Sequence, residues 1–139
     1  MDIYLDIDGV LITKDGNPAN SVNEFLQYTV NNHNVYWLTT HCRTGGNNAV
    51  SYLQNKLPQK TVELIKVIKP TNWNTLKTEA LVFSQDFLWL DDYIMNAEID
   101  VLEKNNCAKN FVRVDLVKSP NQLIDIINKL KSTNLQQSD

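Results

Sequence analysis

Phe87-Leu88-Trp89-Leu90 is apolar at four consecutive positions and stops at Asp91-Asp92. A short apolar run without alternation fits a strand covered on both faces, the situation of a central strand in a parallel sheet. Two other stretches behave alike. Ile3-Tyr4-Leu5 leads into Asp6-Ile7-Asp8-Gly9, and Val35-Tyr36-Trp37-Leu38 leads into Thr39-Thr40. Phe111-Val112-Arg113-Val114 reads as a last strand. Helical patterns lie between. Ser21-Val22-Asn23-Glu24 has the form of a capping box, and Phe25, Leu26, Thr29 and Val30 follow at helical spacing. Asn47 or Asn48 can cap a helix through about Leu57, where Pro58 breaks it. Thr61 to Ile68 reads as a strand, and Asn72 or Thr75 as the start of a helix carrying Leu76, Ala80 and Leu81. Tyr93 to Asn106 reads as a helix. Ser119-Pro120 opens the final one, with Leu123, Ile126, Ile127 and Leu130 on its apolar face.

This alternation predicts an α/β protein: a doubly wound, mostly parallel sheet with right-handed crossovers and helices on both faces. A chain of 139 residues fits one domain, here 1–131, with a polar tail, 132–139, expected to fray. With 42% hydrophobic residues the chain can bury a core, and its net charge of -3 argues against an avid, unspecific nucleic-acid binder. No apolar run approaches a membrane span, and no basic, signal-like segment opens the sequence. Cys42 and Cys107 form neither a metal nor a disulfide pattern, so the expected setting is cytoplasmic.

In open α/β sheets, ligands bind outside the carboxyl ends of the strands. The loops after Asp6, Leu38 and Leu90 should therefore share one edge, and Gly9, Gly16, Gly45 and Gly46 all fall in the first two. Lys14-Asp15-Gly16-Asn17 is a tight-turn signal behind Leu11-Ile12-Thr13, which suggests a small flap above the first strand. Asp6 and Asp8 at the end of a buried strand are close and partly desolvated. That is costly unless a cation or a reaction makes use of them.

Asp6-Ile7-Asp8-Gly9-Val10-Leu11, followed in order by a threonine after the second strand, a lysine, and Asp91-Asp92, resembles the haloacid dehalogenase superfamily of phosphatases and phosphotransferases. The likeness spans nearly the whole chain, and its most specific part is the D-x-D-G-V/T-L/V signature. It implies that Asp6 attacks a phosphate monoester to give an aspartyl-phosphate, while Asp8 acts as general acid and then base. It implies that Thr39, or Thr40 beside it, hydrogen-bonds a phosphoryl oxygen. A lysine would offset charge on Asp6 and the phosphoryl group, with Lys77 preferred, Lys69 second and Lys66 third. Asp91 and Asp92, with Asp6 and the backbone carbonyl of Asp8, would hold Mg²⁺. Gly9 would lie against the substrate. Arg43 reads equally as a contact to a substrate anion and as a solvated loop residue.

Between Gly9 and Val35 there is room for a flap and one helix only, and Leu57 to Leu76 is also short. Neither insertion point holds a cap domain. In this superfamily that implies an open site suited to bulky phosphorylated substrates: protein side chains, nucleic-acid ends or glycan phosphates. The substrate class stays open, including a small metabolite. Hydrolysis is favoured over phosphotransfer, since nothing shields the intermediate from water.

Three other readings compete. His41-Cys42-Arg43-Thr44-Gly45-Gly46-Asn47-Asn48 faintly resembles the phosphate loop of cysteine phosphatases, but Asn48 stands where that loop needs an arginine. A response-regulator receiver also clusters acids on such a sheet, but there the acid pair and the later phosphoacceptor come in a different order. A phosphate- or partner-binding module without turnover is the non-enzyme alternative. His41 lies beside the expected site without a role in the family chemistry, and Trp37, Trp73 and Trp89 read as packing residues.

Overall fold

The protein is described here from a computed structural model covering residues 1–137, with side chains to residue 133. Four strands, β1 (Asp2–Leu5), β2 (Asn34–Trp37), β3 (Phe87–Asp91) and β4 (Phe111–Arg113), form one all-parallel sheet in the order β2-β1-β3-β4. The helices are α1 (Val22–Asn32), α2 (Ala49–Leu53), α3 (Gln59–Ile65), α4 (Asn96–Lys104) and α5 (Gln122–Gln137). This is an α/β architecture consistent with a Rossmann-like fold. Among the described residues no helix is long and apolar enough to cross a membrane.

The unbroken apolar runs have the expected cause. Successive strand side chains point to opposite faces, and both faces are packed. Ile3, Leu5, Val35, Trp37 and Leu90 join α1, α3 and α5 through Phe25, Leu26, Val62, Ile65, Leu123 and Ile127. Tyr4, Phe87 and Trp89 face the other way, onto Leu102 of α4 and onto Trp73, Leu81 and Ile94. Asp2 to Leu5 pair with β2 on one side and β3 on the other, so β1 is interior and its carboxyl end delivers Asp6 between two neighbours.

Several local expectations need correction. Thr61 to Ile68 is not a strand: α3 covers Gln59–Ile65, burying Thr61, Val62 and Ile65 on one face. Pro58 does not break the preceding helix, which already ends at Leu53; it starts the next one, with its carbonyl accepting from the N–H groups of Thr61 and Val62. Only one residue of that region joins the sheet, Lys69, bridged to Tyr36. The helix expected from Asn72 or Thr75 is a single 3-10 turn, Lys77–Ala80. Ser21 makes no side-chain cap, because its φ of 62° is left-handed whereas a capping side chain needs extended backbone. Asn48 likewise makes no side-chain cap on α2, which is shorter than expected. Helix α4 starts at Asn96 rather than Tyr93, and α5 at Gln122, one turn after Ser119-Pro120. Of the stretch 132–139 read as a tail, residues 132–137 lie within the span of α5 and 138–139 lie outside the described residues. The flap is present: Thr13 and Asn17 close a turn around Gly16 (φ 83°), and Ile12 bridges to Asp8 and Pro18.

Candidate active site

The chain leaves β1 at Leu5, and the N–H of Asp6 still bonds to the carbonyl of Leu90 at 3.0 Å. Asp6 therefore begins where the sheet ends, next to Asp91, the last residue of β3. One carboxylate oxygen each from Asp6, Asp91 and Asp92 lie within 4.8 Å of one another. Lys77 enters the same space. Its Nζ is 2.6 Å from Asp91 Oδ2 and 3.5 Å from Asp6 Oδ2, and the three side chains are only 2–14% exposed.

Two glutamates set the turn that carries Lys77. Glu79 accepts the backbone N–H groups of Asn74, Thr75 and Leu76, and these bonds hold its carboxyl below the usual range. Glu98, buried in α4, accepts the N–H of Lys77 at 2.8 Å and that of Met95 at 3.0 Å. That second bond is why α4 starts late: Glu98 closes back on the N–H of an extended Met95. The Lys77 turn and the start of α4 are thus tied through one side chain.

Asp91 is the most enclosed of the acids. Trp89 Nε1 reaches its Oδ2 at 3.3 Å, and the N–H of Tyr93 reaches Oδ1 at 3.2 Å. Burial, with the charge of Asp6 alongside, raises its carboxyl to about 8, against the opposing pull of Lys77. For Lys77, burial acts to lower the pKa, but Asp6 and Asp91 outweigh it and raise the ammonium above its ordinary value. Asp92 closes on the first loop because Gly9 has no side chain. With Gly9 at φ 84°, a Cβ there would lie 2.5 Å from Asp92 Oδ2.

Asp8 stands apart from this cluster. Its side chain is 57% exposed and faces the loop after β2: Tyr52 donates its hydroxyl to Oδ1 at 2.6 Å, and His41 Nε2 lies 3.6 Å from Oδ2. The bond to Asp8, with a smaller share from burial, raises the Tyr52 phenol. Sequence reasoning missed Tyr52 altogether and gave His41 no part. The available signal was positional, since a helix starting directly after the β2 loop brings its first turns to this edge.

The other expected residues separate. Thr40 lines a cleft of about 270 Å³ together with Asp6, Trp73, Lys77, Asp91 and Asp92. Thr39 is buried, with its Oγ accepting the N–H of His41 at 3.5 Å and its carbonyl accepting Trp73 Nε1 at 3.2 Å. Arg43 is not among the residues lining the cleft; it donates to the Asn74 carbonyl at 2.6 Å and lies over the Trp73 ring. Lys69 lines a different hollow, with Val30 and His33, and Lys66 pairs with Glu63. A larger hollow of about 820 Å³ opens at the other end of the strands, near Asp2 and Asn34, and none of the acid cluster lines it. Volume and chemistry point to different ends of the sheet, and the convergent acids decide for the carboxyl end.

The donor set fits a hard divalent cation. Three carboxylates facing one ammonium would, all ionised, leave two uncompensated negative charges in a mostly buried space, which the metal-free protein relieves by holding a proton on Asp91, and all the donors are oxygens. The cysteine-phosphatase arrangement finds no such footing, because Cys42 is buried and burial raises its thiol. Comparison with known proteins gives no match: no family model fits the chain, and no curated protein or solved structure is significantly similar to it.

Proposed function

We propose that the protein is a Mg²⁺-dependent phosphohydrolase of the haloacid dehalogenase type, cleaving phosphate monoesters through an aspartyl-phosphate on Asp6. Its sheet is then the doubly wound core of that superfamily without a cap. The observation that carries the reading is the division between the two acids of Asp6-Ile7-Asp8. Asp6 sits with Asp91, Asp92 and Lys77 in a mostly buried cluster, whereas Asp8 is exposed outside it. Two carboxylates with different surroundings suit different jobs.

In the first half-reaction a carboxylate oxygen of Asp6 bonds to phosphorus as the bond to the ester oxygen breaks, and Asp8 gives that oxygen its proton. In the second, water bonds to phosphorus, Asp8 takes its proton, and the bond to Asp6 breaks to release inorganic phosphate. Lys77 balances charge on Asp6 and on the phosphoryl oxygens. Thr39 or Thr40 supplies a hydroxyl to those oxygens, and Thr40 is the one that lines the cleft. Asp6, Asp91 and Asp92, with the Asp8 carbonyl, would hold Mg²⁺, which when bound draws charge from the phosphate and orients it. The cleft is lined with side chains of the core domain alone, which suits a phosphate on a larger molecule.

The test is hydrolysis of p-nitrophenyl phosphate with Mg²⁺ by the wild type, Asp6→Asn and Asp8→Asn. The expected result is loss in both variants. Equal activity in all three sinks both assignments, and no activity on any phosphate ester without Mg²⁺-dependent stabilisation favours a binding module.

A further inference from the structure

Two aromatic residues with no part in the chemistry above converge on Asp8. The Tyr52 hydroxyl is 2.6 Å from Oδ1, and His41 Nε2 is 3.6 Å from Oδ2. The two rings stack on each other, with centroids 4.0 Å apart and planes 29° from parallel. Their backbones form one frame. The His41 carbonyl accepts from Asn48 N–H at 3.2 Å, the Asn48 carbonyl accepts from Tyr52 N–H at 2.9 Å, and Thr39 Oγ meets the N–H of His41. Lys56 Nζ lies 5.0 Å from the Tyr52 ring centroid and adds a further contact.

An exposed aspartate ordinarily samples several rotamers, and a proton donor must be held within hydrogen-bond reach of the atom it serves. The two oxygens of Asp8 are held unequally. Oδ1 takes a short O–H···O bond, while the contact of Oδ2 is too long for a hydrogen bond. Oδ2 is therefore the oxygen that can exchange partners.

We infer that Tyr52 and His41 are positioning residues for Asp8: Tyr52 fixes Oδ1, and Oδ2, flanked by His41, carries the proton that passes to the ester oxygen. This rests on the phosphohydrolase reading. During ester cleavage the proton moves from Oδ2 to the leaving oxygen as the bond to phosphorus breaks. During hydrolysis of the aspartyl-phosphate, Oδ2 takes a proton from the attacking water. Tyr52 keeps its own proton in both steps and continues to donate it to Oδ1.

The test compares kcat/KM for two esters with Mg²⁺, because kcat/KM reports the step in which the leaving group departs. p-Nitrophenyl phosphate releases a stable phenolate with little need of a proton, whereas β-glycerophosphate releases an alkoxide that needs one. Tyr52→Phe should lower the ratio of alkyl to aryl kcat/KM about 10-fold, a fraction of the whole general-acid contribution. His41→Gln should shift the ratio in the same direction by a smaller factor. Equal losses on the two esters, or none, overturn the inference while leaving the phosphohydrolase reading intact. If Tyr52→Phe does not fold, His41→Gln carries the same comparison. A wild type that turns over neither ester overturns the reading and the inference together.

Discussion

Lys77 Nζ lies 2.6 Å from Asp91 Oδ2 although the lysine is presented by a single 3-10 turn and the aspartate by an interior strand. A turn of four residues has little hold of its own, so the position of the ammonium depends on Glu79 and Glu98, which gather the backbone N–H groups of residues 74–77.

Glu98 lines the cleft, and Glu98→Ala should act on it chiefly through the backbone that this side chain holds. It leaves the N–H groups of Lys77 and Met95 without their acceptor, and hydrogen bonds to a charged group contribute roughly 1.5–3 kcal/mol. Urea unfolding should show a loss of that order. A variant as stable as wild type would mean that Glu79 alone holds the turn.

Lys77→Met should be destabilising because it leaves Asp6 and Asp91 facing each other without a cation. Breaking a buried pair by removing one partner costs about 3–5 kcal/mol. Asp91 can escape part of this by holding a proton, so the loss should be smaller at pH 5 than at pH 8. A loss independent of pH would show that the two carboxylates do not share one electrostatic environment.

The metal-free protein should become less stable as pH rises between about 4 and 8. Asp91 is raised to about 8 in the folded chain, against an ordinary value of 3.8, so between these values the folded state holds a proton that the unfolded state has released. Stability then falls with pH, by at most about 1.4 kcal/mol per unit. The groups facing Asp91 are Asp6, Asp92, Lys77, Trp89 and the N–H of Tyr93. Thermal unfolding in EDTA from pH 4.5 to 8.5 should show the decline, and Asp91→Asn should flatten it. Mg²⁺ affinity should run the opposite way, tightening with pH because the cation displaces that proton.

Mg²⁺ should raise the melting temperature of the wild type, with about 2.7 kcal/mol of stabilisation at a hundred times the dissociation constant. Asp6→Asn and Asp91→Asn should remove most of the shift. Gly9→Ala should also weaken it, since the new Cβ would meet Asp92 Oδ2 at 2.5 Å and must displace it from the cluster. Glycine is needed there for the left-handed backbone too, whose strain in an alanine costs on the order of 1–3 kcal/mol. A Gly9→Ala protein with an unchanged Mg²⁺ shift would remove Asp92 from the ligand set.

What the sequence made legible follows from local rules. The runs at Ile3–Leu5, Val35–Trp37 and Phe87–Leu90 could be read as strands because both faces of the sheet are packed, and α5 because Leu123, Ile126, Ile127 and Leu130 share a face. Thr61 and Val62 misled because β-branched residues favour strands, whereas the i, i+1, i+4 burial of Thr61, Val62 and Ile65 comes from packing that propensity does not see. The meeting of Lys77 with Asp6 was legible only as a choice among lysines. For His41 and Tyr52 only their placement at the same edge was legible, and their convergence on Asp8 was not, because it depends on how the loop after β2 folds back over the end of β1.

The single bridge at Lys69 has a consequence for how this molecule meets its own kind. Strand β2 lies at the border of the sheet, where unpaired backbone groups invite another chain to add a strand. Here the carbonyl of Val35 accepts the N–H of Lys69, the N–H of Trp37 donates to the Lys69 carbonyl, and the carbonyl of Trp37 takes the Thr71 hydroxyl. Pro70, placed between, has no N–H to offer outward. Three residues of irregular chain, Lys69 to Thr71, thus close a border that a full fifth strand would have extended, and they guard this edge of the sheet against edge-to-edge aggregation.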